Sequence, residues 1–438
     1  MAENASESNV REKSRSQWGG LALMLAAIAL VVAPFIVRPL YTIVPAVLVF
    51  LYLCYLNLIR RHIFLRNLKD HHCLTLQSQE GEEDNDLPPV LVIAPARNEE
   101  VGIEAAVRSM CALDYPGVRV LVVNDHSTDS TGAILDRLAS ELPNLRVLHN
   151  PPLQEGWHGK VNAVWQAMHE PDADRPWILQ TDADTIFHPK ALRRAMAFAQ
   201  KEDLDYLTCV VWLDNQSLAE ELVMPLAWCG ILMRVRRARM NHAKSPALGV
   251  GPFMLYRRDS YFECGGHSAF RSQTPEDEML AATFKQWGGN MGVAWTRDMV
   301  RFRIYRGYAQ LRDFLTRKTR IHCDDRIDRF LNSMAGMLLR HVLPLPLGIA
   351  GLLQADTVGM LHFEWAVYTG AAFAAYCTLA WSFARHEEVA HMRKGLQWAH
   401  PLGGVLRIWF TARGMLQALR GKEMDWRGRK HINPRAQG

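Results

Sequence analysis

Four short apolar runs constrain this chain most: Val90–Pro95, Val118–Asn124, Leu145–Leu148 and Trp177–Gln180. Each has strand length, and most are nearly continuously apolar rather than alternating, as expected of strands buried on both faces. Helical patterns separate them. One follows Asn98, which is expected to cap a helix with Glu99 and Glu100 in its first turn. Another runs near Ser130–Leu142, and a third carries Val161, Val164 and Met168 on one face. Strands alternating with helices predict an α/β fold, a mostly parallel sheet with helices on both faces. Ligands of such sheets gather at the carboxyl ends of the strands. That rule puts Pro95–Glu99, Asp125–Asp129 and Asp182–Asp184 on one rim.

Asp182-Ala-Asp184 closes the fourth run. Two carboxylates two residues apart at a strand end suit a hard divalent cation, Mg²⁺ or Mn²⁺, held against a diphosphate. Alone the pair would also suit a solvated turn; the shared rim favours the ligand reading. Asp125 and Glu99 offer acceptors to base or ribose donors, and Lys160 offers a point charge to a phosphate. Asp129 serves equally as a helix cap. An acceptor hydroxyl needs a base, and Asp277 in Thr274-Pro-Glu-Asp-Glu278 is the candidate. Its neighbours Glu276 and Glu278 would raise its pKa by like charge, so that it works near neutrality. Of the basic run Arg312–Arg320, Arg317 and Arg320 are assigned to the diphosphate; the remainder, like Arg234–Arg239, reads as a surface for anionic headgroups.

The flanks are different. Gly19–Val37 is 19 residues without a charge, and Leu40–Ile59 is 20 more. Each is long enough for a bilayer core of about 30 Å. Arg60, Arg61, His62, Arg66 and Lys69 follow the second run, and Arg11, Lys13 and Arg15 precede the first. Basic flanks favour the cytoplasmic side, so a hairpin with both ends in the cytosol is expected. Trp365–Phe383 reads as a further span, Val342–Leu353 as a half-span, and Leu402–Leu419 as a helix lying on the surface. The chain thus divides into a cytoplasmic tail (1–18), a transmembrane hairpin (19–59) and a basic then acidic linker (60–88). A cytoplasmic catalytic domain (89–325) follows, then a C-terminal membrane region of two spans (326–385) and an interfacial helix with a basic tail (386–438). Lys plus Arg is 50 against 45 Asp plus Glu, a net +5, too balanced for nucleic acid to be the main partner. The eight cysteines include no Cys-x-x-Cys pair, which argues against a zinc site and for reduced thiols.

Residues 89 to 325 resemble family-2 glycosyltransferases of the nucleotide-diphospho-sugar transferase (GT-A) fold. The resemblance lies in six pieces in order: Pro95-Ala-Arg-Asn-Glu99, Val123-Asn-Asp-His-Ser-Thr-Asp129, Gly159-Lys160, Thr181-Asp-Ala-Asp184, Gly265-Gly266 and Glu276-Asp-Glu-Met-Leu280. It implies that Pro95, Arg97, Glu99, Asp125 and Lys160 bind a nucleotide-diphosphate sugar, commonly a UDP-sugar. It implies that Asp182 contacts ribose or metal, Asp184 ligates the metal, and Asp277 deprotonates the acceptor, with inversion at the anomeric carbon. Pro151-Pro-Leu-x-x-Gly156-Trp-x-Gly-Lys160, with the flanking apolar segments, is similar to the bacterial hopene-associated glycosyltransferases and to the ceramide glucosyltransferase type. That implies a lipid hydroxyl, hopanoid or sphingolipid-like, as acceptor. Processive synthases carry Gln-x-x-Arg-Trp after the base, whereas here the stretch is Arg317-Lys-Thr-Arg320-Ile. Transfer of a single sugar is therefore expected over a processive polysaccharide synthase or a non-catalytic membrane scaffold.

Overall fold

The computed structural model describes residues 19–37, 39–70, 72–75, 87–234, 240–242, 245–303, 305, 307–357, 362–383, 390–422, 424–426 and 429–431. The N-terminal tail, the acidic linker Gln77–Asp86, most of the 234–239 basic cluster and most of the basic C-terminal tail lie outside the described residues.

Eleven strands matter for the site: β1 His72–Cys73, β2 Val90–Ala96, β3 Arg119–Asn124, β4 Leu145–His149, β5 Trp177–Gln180, β6 Thr185–Phe187, β7 Tyr206–Val210, β8 Trp212–Leu213, β9 Met254–Arg257, β10 Met291–Trp295 and β11 Val300–Phe302. Eight form one sheet in the order β1-β10-β7-β9-β5-β2-β3-β4. Only β9 runs against its neighbours β5 and β7; every other pair is parallel. A small second sheet has the order β6-β11-β8. The expected strand 205–212 is divided between the two sheets.

The helices are α1 Gly19–Phe35, α2 Pro39–Asp70, α3 Ile103–Cys111, α4 Thr131–Glu141, α5 Gly159–Ala167, α6 Ala191–Lys201, α7 Leu218–Arg234, α8 Arg258–Glu263, α9 Glu276–Trp287, α10 Tyr308–Cys323, α11 Ile327–Met337, α12 Pro344–Thr357, α13 His362–Ser382 and α14 His400–Leu419. Val90 to Ala94 of β2 are fully buried, as a strand covered on both faces requires. Nine-residue α3 is too short to persist alone. It is held by Ile103, Ala106, Val107 and Met110, spaced on one face and fully buried. Each of its larger side chains contributes about 1.5–3 kcal/mol.

Asn98 does not cap α3. The cap is Gly102, four residues later, and the helix begins at Ile103. Asn98 takes a left-handed conformation (φ 54°), and its Oδ1 accepts from Thr128 N at 2.8 Å. The side chain is spent on joining two loops rather than on a helix end.

A separate apolar cluster joins α1, α2 and α13, with Val31, Phe50, Leu53, Trp365, Tyr368 and Ala372 at its centre. Tyr368 Oη donates to Val31 O at 2.6 Å. Among the described residues one helix, Thr42–Asn67, is long and apolar enough to cross a membrane. The bent pair Ile327–Val342 and Pro344–Gln354 passes if it counts as one span, with a 49° bend. Gly19–Phe35 is shorter. The expected span at Trp365–Phe383 does not reach that apolarity, because α13 spreads Thr369, Gly370, Tyr376, Thr378 and Ser382 among its alanines. Helix α14 packs on α7, α10 and α11. Its opposite side exposes Leu402, Val405, Trp409, Leu416 and Leu419.

Candidate active site

Strands β5, β2 and β3 are adjacent and parallel, with Ala96 opposite Asn124 and Ile93 opposite Gln180. Their carboxyl ends therefore open on one edge. The loops after β2 and β3 are stitched together there. Asp125 N donates to Ala96 O at 2.8 Å, and Arg97 Nη1 donates to Asp125 O at 2.7 Å. Glu99 N donates to Thr131 Oγ1 at 2.8 Å. Asp129 accepts from Glu100 N and Thr131 N, so it holds backbone at the start of α4. Pro95 lies inside β2, paired with Val123, and Glu99 is half-buried beyond it. Asp125 is buried, with His126 Nδ1 3.1 Å from its Oδ1.

Beside this rim lies a chain of charged groups. Lys160, in the first turn of α5, donates to Asp182 Oδ1 at 2.6 Å and also pairs with Glu276. Glu276 is the first residue of α9, directly after the cis Thr274–Pro275 bond. Burial works against the charge on Lys160, but the Asp182 and Glu276 carboxylates overcome it and raise its pKa. Burial pushes Glu276 up, and Lys160 more than offsets it, so Glu276 stays ionised. Asp277 differs. Burial first and the Glu276 charge second push it up to about 7, with Lys318 and Lys160 opposing. The rim thus sets a charged carboxylate beside one poised near neutrality.

Two glycines hold this arrangement, and the sequence reading passed over both. Gly251 N donates to Asp277 Oδ2 at 3.3 Å. A Cβ on Gly251 would lie 2.9 Å from Asp182 Oδ2, so the Asp182 carboxylate fills the space a side chain would take. A Cβ on Gly249 would lie 1.9 Å from Asp277 O. The loop is fixed from behind: Val250 N donates to Thr208 Oγ1 at 3.0 Å, and Thr181 Oγ1 donates to Pro252 O at 2.7 Å. A Gly-x-Gly before a strand, with no turn or phosphate loop to explain it, was the available signal for close backbone approach.

Two site expectations change. Arg320 is buried and turned away: Nε and Nη2 each donate to Asp325 at 2.8 Å, and Nη1 donates to Lys422 O at 2.7 Å. Its guanidinium holds the end of α10, whereas Lys318, two residues earlier, is the one whose charge reaches Asp277. Glu278 is exposed and acts on Asp277 through its backbone N–H, which donates to Oδ1 at 2.8 Å, and not through its carboxylate. Trp157 packs, with Trp165 at 5.5 Å and Arg271 over its ring. Arg317 lies over Phe314 at 5.6 Å.

Among the described residues no three His, Cys, Asp or Glu side chains form a ready metal cage. Mg²⁺ and its like need only one or two carboxylates when diphosphate oxygens complete the shell. Asp182, which already faces the Lys160 ammonium, and half-buried Asp184 fit that donor set.

Residues 91–265 match the family model "Glycosyl transferase family 2". A beta-monoglucosyldiacylglycerol synthase of Synechocystis sp. is 38% identical over 109 residues, 24% of this chain and 22% of that protein. A probable glycosyltransferase, YdaM, of Bacillus subtilis is 32% identical over 118 residues, 26% and 28% of the two chains. The chain spans about a quarter of the length of these curated relatives. Among solved structures, the mannosyltransferase PcManGT of Pyrobaculum calidifontis, in complex with GDP-Man and Mn²⁺, is 20% identical, covering 92% of this chain and all of that one at a TM-score of 0.49. Residues 91–265, which run from β2 through β9 and include the rim from Pro95 to Asp184, are thus similar to glycosyl transferase family 2.

Proposed function

We propose that the protein is a membrane-anchored, inverting glycosyltransferase that moves one sugar from a nucleotide-diphosphate sugar to a lipid hydroxyl. The observation that carries this reading is Asp277, held near pH 7 beside the Lys160–Asp182 pair and next to the rim that ends in Asp125. A carboxylate at that poise accepts a hydroxyl proton effectively at neutrality.

In the proposed reaction Asp277 takes the proton of the acceptor hydroxyl. The freed oxygen pair forms the new bond to the anomeric carbon from one face while the bond to the diphosphate oxygen breaks on the other. The configuration inverts, and no covalent enzyme intermediate forms. Asp125, Glu99, Pro95 and Arg97 form the nucleotide edge, and Lys160 stands where a phosphate oxygen would arrive. Asp182 and Asp184 would hold a divalent cation, which when bound supplies positive charge against the departing diphosphate.

The lipid acceptor is supported by the glycolipid synthases among the relatives. Anchoring is supported by the apolar Thr42–Asn67 stretch, with Arg60, Arg61 and His62 towards its end, and by the exposed apolar face of α14. The basic residues favour a cytoplasmic catalytic face. Asp277→Asn tests the base. Turnover should fall by at least about a hundredfold with nucleotide-sugar binding retained. Near-normal turnover would move the base elsewhere.

A further inference from the structure

We infer that His149 is a positioning residue for the sugar nucleotide: it fixes the side chain of Asn124 and, through it, the loop that presents Asp125. The inference rests on the reading above that this loop forms the nucleotide edge.

Asn124 ends β3 and His149 ends β4, and the two are the last register pair of these parallel strands. The Asn124 side chain is buried, at 4% exposure, so both ends of its amide need partners. Its Oδ1 accepts from Ser127 N at 3.3 Å, which leaves Nδ2 facing His149 Nδ1 at 3.1 Å. An amide nitrogen only donates, so Nδ1 is the acceptor of that bond. The other ring nitrogen agrees. Nε2 lies 2.9 Å from Asp136 Oδ1, and a carboxylate only accepts, which assigns the ring proton to Nε2. One neutral tautomer satisfies both neighbours, and donation runs one way from Ser127 through Asn124 and His149 to Asp136.

Helix α4 is shaped for this chain of bonds. Gly132 and Asp136 are four residues apart and so share one face of the helix. A Cβ on Gly132 would lie 3.1 Å from Asn124 Nδ2, a tight approach that glycine leaves open. The bend of the loop depends on the same pair of strand ends. His126 (φ 56°) and Asn150 (φ 47°) both take left-handed backbone, which residues other than glycine keep only when their surroundings hold them. Here Asn150 N donates to Asn124 O at 2.8 Å, and His126 N donates to Asn150 Oδ1 at 3.1 Å. Asp125 stands between two residues held in this way. His149 does not touch the nucleotide edge itself; it acts through Asn124.

The test is calorimetric titration of the full chain in detergent micelles with UDP and with GDP, Mn²⁺ present, alongside thermal melts. His149→Ala should weaken nucleotide binding about tenfold, the effect of one lost hydrogen bond on a buried amide. His149→Asn offers an Oδ1 in place of Nδ1 and should bind within about twofold of wild type, although it gives up Asp136. Asp136→Ala removes a side chain that is 70% exposed and frees the tautomer of the ring; it should weaken binding about threefold. Wild-type affinity in His149→Ala overturns the inference. So does a His149→Asn chain as weak as the alanine variant, because the bulk of the ring and not its bond to Asn124 would then matter. If His149→Ala does not fold, unchanged affinity in Asp136→Ala overturns it instead. A wild-type chain that binds neither nucleotide removes the nucleotide edge and this inference with it, a result distinct from binding that the variants leave unchanged.

Discussion

Gly249→Ala tests the geometry of the site without touching a charged group. The new Cβ would sit 1.9 Å from Asp277 O and 3.1 Å from Asp277 Cα, where real Cβ atoms keep at least 3.0 Å. The obstacle is backbone, so no rotamer relieves it. The 249–252 loop and the start of α9 must part by more than about 1 Å, a misplacement that costs about a hundredfold in rate when it moves a catalytic group. Overpacking costs about 1–3 kcal/mol, against about 5–15 kcal/mol of stability for an ordinary domain, so the fold survives. The expected result is a hundredfold fall in kcat/KM with a small drop in Tm and little change in nucleotide binding, since the Asp125 loop lies on other strands. Gly336→Ala is the control: it lies within α11 with nothing within 4 Å of its Cβ position, and should be neutral or stabilising by about 0.5–1 kcal/mol. A Gly249→Ala enzyme with wild-type turnover would refute the claim that this loop sets the position of Asp277.

Asp277 has its pKa raised from 3.8 to about 7 in the folded chain, so its base form appears only above that range. Turnover should climb with pH below about 7 and level off above it, and the apoprotein should lose stability between about pH 4 and 7, because the folded state holds the proton that the unfolded state releases. A flat profile from pH 5 to 8 would contradict this. Lys160→Met leaves Asp182 and Glu276 without their shared cation. It should cost about 3–5 kcal/mol in urea melts, and the rising limb should move to higher pH, because Lys160 pulls Asp277 down. Arg320→Met should cost a similar amount through the broken Asp325 pair, with KM for the sugar donor unchanged. An unaltered Tm with a raised KM would return Arg320 to the diphosphate.

The sheet was readable because burial on both faces leaves a plain mark. The span Trp177–Gln180 matches β5, and Val90–Pro95 falls one residue short of β2. Lys160, Asp182, Glu276 and Asp277 are scattered over more than a hundred residues; the rim rule gathered Asp182 with the Pro95–Glu99 and Asp125–Asp129 loops, because strand ends converge whatever lies between, while Lys160, Glu276 and Asp277 stood out by their chemistry and by the family resemblance. What escaped depends on the third dimension. Asn98 looks like a cap until its left-handed backbone turns it towards Thr128. Arg320 looks like a phosphate ligand until Asp325 folds back on it, and Lys318 gains its reach to Asp277 only from the rotation of α10. Gly249 and Gly251 have no side chain to signal with; their role is the space they leave. In α13, length suggested a span, while the small polar residues suit packing against α2.

The most direct test of the central claim is a mass spectrum. The purified chain in lipid vesicles, with a divalent cation and a panel of nucleotide sugars, should yield one new glycolipid carrying a single added sugar for at least one donor, and Asp277→Asn should yield none. A ladder of many sugars, or no new glycolipid with any donor while the sugar nucleotide still binds, would contradict it.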